Sequence, residues 1–164
     1  LHFDAHADLR ESYNGEKFSH ASAIKRCLDY KNVSVISFGI RNISNSEIPY
    51  LKKNYSRINI FWAKDKPKWN LIKFKKLIKN KTVYLTFDVD GLDSSIMPAT
   101  GTPEPGGLLW DETLNIIKIA AKNSNIVGAD INELSPIKGF NSYNFLVAKL
   151  AYKIISYSFE FKKK

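Results

Sequence analysis

Sulfhydryl chemistry is nearly missing from this sequence, whose one cysteine is Cys27. A lone cysteine makes no internal disulfide, which excludes a disulfide framework and fits a reducing, cytoplasmic setting. Cys27 falls within an apolar helical stripe and is expected to be buried rather than catalytic. Long apolar runs are also lacking: no stretch approaches the ~20 residues of a membrane-spanning helix. No basic segment followed by an apolar run opens the chain, as a secretion signal would. Acid is outnumbered, with 16 Asp and Glu against 25 Lys and Arg and a formal charge of +9. The lysines are scattered between residues 64 and 81 and gathered at Lys162, Lys163 and Lys164, without the interleaved glycines and aromatics of RNA-reading strands. They read as solvated faces, so neither nucleic acid nor membrane is expected as a partner.

The acid that is present stands at strand ends. Val83 to Phe87 has the apolar, β-branched composition of a short buried strand, and it finishes in Asp88 and Asp90. Residues two apart on a strand point the same way, so the two carboxylates converge. Unpaired, they repel each other and resist desolvation unless protonated, hydrogen-bonded or neutralised by a cation. Leu1-His2-Phe3 reads as the tail of another buried strand and runs into Asp4, His6 and Asp8 at alternate positions. Carboxylate oxygen with imidazole nitrogen suits manganese and its neighbours, and two such clusters suffice for two metals sharing bridging carboxylates. Singly, each cluster is also the composition of an ordinary turn or cap.

Between these clusters strand and helix alternate. A helix capped by Ser19 is expected from His20 to about Tyr30, with Ala23, Ile24, Cys27 and Leu28 inward. A strand follows at Val33–Ile40, then a short helix to Lys53, capped by Ser44 or Ser46 with Pro49 in its first turn. Ile58–Trp62 is a strand, Lys64–Asn70 a loop, and Leu71–Ile78 a lysine-faced helix. After the Val83 strand comes a loop, Gly91–Leu108, holding three of the six prolines and four of the eight glycines; that density predicts a fixed shape. A helix at Trp110–Lys122, with Leu114, Ile117 and Ala121 inward, a strand at Ile126–Ile131 and a helix at Tyr143–Ser158 complete the chain. The alternation predicts an α/β fold, a parallel sheet covered on both faces, with a site beyond the strands' carboxyl ends, where Asp4, Asp88 and Glu133 fall. One domain is expected, and because Leu1 already lies within a strand the chain reads as part of it.

Three segments carry a specific resemblance: Asp4-Ala5-His6-Ala7-Asp8; Thr86-Phe87-Asp88-Val89-Asp90-Gly91-Leu92-Asp93 with Pro98-Ala99-Thr100-Gly101-Thr102-Pro103-Glu104-Pro105-Gly106-Gly107; and Asp130-Ile131-Asn132-Glu133-Leu134-Ser135-Pro136. Together they resemble the signatures of the ureohydrolase family, which includes arginase and agmatinase. The resemblance implies a three-layer α/β/α sandwich with a central parallel sheet, of which this chain would be the carboxyl-terminal two-thirds. It implies two manganese ions bridged by Asp4 and Asp88, one completed by His6 and Asp90 and the other bound by Asp8. The family's further histidine on that second ion comes from a Gly-Gly-Asp-His segment that this sequence does not contain. Glu133 would hold the guanidinium over the metals, a planar donor fork being matched to a carboxylate. His20 would shuttle protons to the departing amine, as an imidazole can near neutrality. The resemblance also implies a trimer or hexamer.

The Asp8-Leu9-Arg10-Glu11-Ser12-Tyr13-Asn14-Gly15 loop resembles agmatinase-like members, which favours agmatine as substrate and putrescine and urea as products. Guanidinobutyrate, arginine and formiminoglutamate stay open. So do bland readings in which His20 only starts a helix, Glu133 binds nearby amides and Asp130 orients neighbours. His2 reads as structural and Asp93 as fixing its loop. Ser94 stands where the family usually has proline, which should loosen that loop, and Leu109 replaces the usual helix cap unless Asp111 substitutes. A non-catalytic remnant or interaction module is the competing class. A zinc deacetylase is disfavoured because Asp90 and the Thr-Pro-Glu-Pro-Gly-Gly loop belong with the urea-forming branch.

Overall fold

Apolar strands too short to stand alone are stacked here into one sheet, and the helices between them supply its two covers. The computed structural model describes residues 1–161, so the lysine tail at 162–164 lies outside the described residues. Strands β1 (His2–Phe3), β2 (Val35–Phe38), β3 (Ile58–Phe61), β4 (Thr82–Asp88) and β5 (Asn125–Asn132) lie in the order β3-β2-β1-β4-β5. Every pairing is parallel. From β1 the chain moves outward to β2 and β3, then returns to place β4 on the other side of β1. The boundary between β1 and β4 is therefore a topological switch point, where the connecting segments part and leave a crevice.

Among the described residues five α-helices flank the sheet: α1 (Ala23–Cys27), α2 (Ile48–Lys53), α3 (Leu71–Ile78), α4 (Trp110–Asn123) and α5 (Asn141–Glu160). On one face Phe3, Phe38, Phe61, Leu85 and Phe87 meet the buried sides of α3, α4 and α5 through Phe74, Ile117 and Leu150. On the other, Val35 and Ile58 meet Ile24 and Leu28 from α1 and its end, with Tyr50 and Leu51 of α2. Two cores on opposite faces make the three-layer α/β/α arrangement expected from the alternation. Among the described residues no helix is long and apolar enough to cross a membrane.

The departures are local and have physical causes. The helix expected from His20 to Tyr30 begins as a 3-10 turn, His20–Ser22, and its α-helical part ends at Cys27. The Lys25 amide, which a regular helix would give to Ala21, donates instead to Asp8 O at 2.9 Å, and Ala21 O accepts from the Arg10 amide at 3.2 Å. One helical bond has been exchanged for two tertiary ones that tie down the Asp8 loop. Ser19 does not cap the backbone; its hydroxyl pairs with that of Ser22. Cys27, expected to be buried, is exposed. It borders an open groove with Leu1, Leu28 and Tyr84, where no helix among the described residues covers the β4–β5 half of this sheet face and Tyr84 is 54% and Val127 59% exposed. Neither Ser44 nor Ser46 caps α2; the N-cap is Glu47, with Pro49 tolerated in the first turn as expected. The Lys64–Asn70 loop contains a 3-10 helix, Ala63–Lys68. At α4 the missing cap is offset by Glu112, not Asp111: its carboxylate accepts the Leu109 amide at 2.9 Å. On α4, Leu114 is only half-buried, while Thr113, Ile116 and Ala120 join Ile117 and Ala121 in the core.

The proline- and glycine-rich loop packs as firmly as a core element, with Leu92, Met97 and Leu108 fully buried. Asp93 fixes it as expected, accepting the Ser95 amide at 3.0 Å and the Gly107 amide at 2.8 Å. Those bonds, led by the Ser95 hydroxyl, hold the Asp93 carboxyl down to about 2.

Candidate metal centre

Register brings the acidic clusters together. His2 lies opposite Thr86 and Phe3 opposite Phe87, so Asp4 emerges from β1 level with Asp88 at the end of β4. The chain then turns sharply over the β1 end, which is why Gly91 is glycine: a Cβ there would stand 2.8 Å from the Asp4 backbone nitrogen.

Asp4 and Asp90 are both buried, and their oxygens are partly committed. Asp4 Oδ1 accepts the His6 amide at 2.6 Å, and Asp90 Oδ1 accepts the Ala5 amide at 2.9 Å. His6 Nδ1 lies 2.9 Å from Asp90 Oδ2 and 3.4 Å from Asp4 Oδ1. Asp88 Oδ1 accepts the Asp90 amide at 2.9 Å. Among the described residues three donor groups result, each with ligand atoms within 4.8 Å of one another: Asp4, His6 and Asp90; His2, Asp4 and Asp8; and Asp88, Asp90 and Glu133. All five residues expected as metal ligands thus fall in one cluster. His2, expected to be structural, orients Asp4: its Nε2 meets Asp4 Oδ2 at 2.9 Å while Nδ1 meets Ser37 Oγ at 3.1 Å.

Without a cation the cluster neutralises itself with protons. Burial pushes Asp88 up to about 9 and Asp8 up to about 8, with the Asp4 charge adding to both. His6 is raised to about 10 by its hydrogen bonds to Asp4 and Asp90. Burial also opposes ionisation of Asp4, but the bonds from His2 and His6 outweigh it and hold that carboxyl below the ordinary range. Such a set of forced protonations is what a bound divalent cation relieves. Oxygen-rich donors, joined by one imidazole in two of the three groups, suit a divalent cation.

Above the cluster lies a cavity of about 420 Å³ whose wall includes His20, Glu133, Tyr13, Asn42 and Thr102. Glu133 follows β5 in a left-handed conformation, φ 64°, and burial, then the charges of Asp90 and Asp4, raise its carboxyl above the ordinary value. His20 opens the 3-10 turn with its ring edge-on to Tyr13 at 5.4 Å, and the Arg10 guanidinium lies over the same tyrosine at 5.0 Å. A turn at Asn14-Gly15, both with positive φ, closes a small bridge between Tyr13 and Glu16. Asp130 turns from the cavity to accept the Thr86 hydroxyl at 2.8 Å.

Sequence reasoning missed Glu47. Its buried carboxylate accepts the Leu9 amide at 2.8 Å through Oε1, and the Ser44 amide at 2.7 Å and hydroxyl at 2.8 Å through Oε2. It joins the loop after Asp8 to the loop after β2. The Ser44-x-x-Glu47 spacing is a local signal for the two Ser44 bonds; the bond to Leu9, 38 residues away, has no local signal.

A parallel α/β sandwich with an oxygen-rich donor cluster at its switch point defines an α/β protein with a candidate cation site. The Arginase family model matches residues 1–156, and the chain belongs to that family. An N(1)-aminopropylagmatine ureohydrolase of Synechocystis is 35% identical over 167 residues, covering 100% of this chain and 53% of that protein. An agmatinase of Pyrococcus horikoshii is 36% identical over 158 residues, covering 95% of this chain and 54% of that protein. The crystal structure of the agmatine ureohydrolase of Thermoplasma volcanium superposes with a TM-score of 0.82 at 32% identity, covering 96% of this chain and 53% of that one. The chain thus spans about half the length of these relatives.

Proposed function

We propose that this chain carries the hydrolytic centre of a manganese-dependent amidinohydrolase that cleaves a linear guanidine, agmatine, to putrescine and urea in the cytoplasm. The observation that carries the reading is the convergence of Asp4, His6, Asp8, Asp88 and Asp90 beneath a cavity walled by Glu133 and His20. Asp4, His6, Asp8, Asp88 and Asp90 would hold the two manganese ions. Bound there, the ions supply water activation by lowering its pKa by several units, which a resonance-stabilised guanidinium demands. Glu133 accepts hydrogen bonds from the guanidinium and fixes its plane. His20 passes a proton to the departing amine from the cavity wall. Agmatine is favoured by the Asp8–Gly15 loop and by the agmatine-related names of the relatives just described. A homo-oligomer, trimer or hexamer, is part of the same reading.

The second reading is a non-catalytic family member. It draws on the donor count, since among the described residues Asp8 has only His2 and Asp4 as grouped companions. Urea release separates the two. The chain is stripped with chelator, reloaded with Mn²⁺ and given agmatine, guanidinobutyrate, arginine or formiminoglutamate, with urea measured for the first three and formamide for the last. Turnover of agmatine above the others is expected; two bound ions with no product from any of the four overturns the catalytic reading.

A further inference from the structure

Arg41 follows β2, and its side chain reaches into the ground between three segments that no regular secondary structure joins. Its Nε donates to Pro105 O at 3.0 Å and one terminal nitrogen to Gly39 O at 2.9 Å. The other terminal nitrogen meets Asp90 O at 2.7 Å, Leu92 O at 3.2 Å and Glu104 O at 2.6 Å. All five acceptors are backbone carbonyls, drawn from the end of β2, the turn that carries Asp90, and the proline-rich loop.

That loop is anchored at its ends by other means. Met97 donates its amide to Asp93 O at 2.9 Å, and Leu108 donates to Gly91 O at 3.0 Å. Between them, among the described residues, the bonds that seat 102–105 come from Arg41, from Asn42 Nδ2 to Glu104 Oε1 at 2.9 Å, and from the Thr102 hydroxyl to Asp90 Oδ2 at 3.3 Å. Gly101 and Thr102 line the cavity over the donor cluster. One planar cation thus fixes both the turn that aims Asp90 and the loop that roofs it. A guanidinium presents five N–H donors in a rigid fork, whereas an ammonium has three on a flexible stem. Lysine keeps the charge but cannot span the same carbonyls.

We propose that Arg41 is a positioning residue: by clamping the Asp90 turn to the Gly101–Pro105 loop it sets the manganese affinity of the Asp4–His6–Asp90 group and the shape of the substrate cavity. The cavity half rests on the hydrolase reading; the affinity half does not.

The test compares the wild-type chain with Arg41→Lys. In Mn²⁺ titration by calorimetry or EPR, R41K is expected to weaken binding by about tenfold or more, the usual cost of losing a partner that orients ligands. Limited proteolysis should cut R41K within 101–107 faster, and if the chain is active the loss in kcat/KM should lie mainly in KM. Wild-type Mn²⁺ affinity in a folded R41K overturns the proposal. Lost affinity in R41K alongside a wild type that makes no urea supports it while removing the hydrolase reading. Should R41K fail to fold, native-state hydrogen exchange of the wild type decides. Residues 90–92 and 101–106 are expected to open as one unit, and independent opening overturns the clamp.

Discussion

Asp4 and Asp88 stand side by side because Phe3 and Phe87, the residues before them, are paired across the β1–β4 ladder with their rings stacked at 4.9 Å. The most acidic spot of a basic chain is thus set by an apolar pair beneath it, and shifting the register by one residue would send the carboxylates to opposite faces.

Gly91→Ala tests how closely that spot is packed. The added Cβ would lie 2.8 Å from Asp4 N and 3.1 Å from Asp4 Cα, both backbone atoms that cannot rotate away. Overpacking of this kind costs about 1–3 kcal/mol. Denaturant unfolding should show that loss, and Mn²⁺ titration a weakened site, because it is Asp4 that must move.

Metal binding should release protons. In the cation-free chain Asp88 is raised to about 9, Asp8 to about 8 and His6 to about 10, and filling both cation positions would displace all three protons. Calorimetry at pH 7 in buffers of different ionisation enthalpy should give a positive proton count, and Mn²⁺ affinity should rise from pH 6 to 9. The two carboxyls also set a sign for the cation-free stability. Their folded pKa values lie above the unfolded value of 3.8, so the folded state holds protons the unfolded chain has lost. Their contribution is full below pH ~4 and is lost as pH rises through about 8 to 9. Asp88→Asn should flatten that decline in melting experiments while abolishing stabilisation by Mn²⁺.

Glu47→Ala should be harmful although Glu47 belongs to none of the three donor groups. It strips acceptors from the amides of Leu9 and Ser44 and from the Ser44 hydroxyl around a buried carboxylate. Leaving a buried donor unsatisfied costs about 1–3 kcal/mol. Chemical denaturation should show at least one such increment, with Glu47→Gln losing less because it keeps one acceptor oxygen. The Asp8 loop, freed at Leu9, should bind Mn²⁺ less tightly in both.

His20→Ala addresses proton transfer alone. Its ring rests on Tyr13 at the cavity wall and belongs to none of the three donor groups. Mn²⁺ binding should therefore match wild type, while kcat for urea release falls by about 10²–10⁴, the usual worth of a general acid or base. A drop in Mn²⁺ affinity would instead give His20 a structural part in the centre.

Local order in this protein was written in local composition. Alternating apolar and amphipathic segments set the strands, the order of the helices and the parallel sheet. Acids placed at alternate positions after β1 and β4 marked the donor cluster, because both signals repeat over a few residues. What tertiary structure alone decided depends on groups far apart in the chain. The switch-point neighbours β1 and β4, the Asp8 and Arg10 backbone bonds that shorten the helix after His20, the exposure of Cys27, the Glu47–Leu9 bond and the Arg41 bonds to the Asp90 turn and the proline-rich loop all arise this way. Backbone amides and carbonyls are the same at every position, so a sequence cannot say which of them a distant side chain will find; only the folded chain brings the partners within reach.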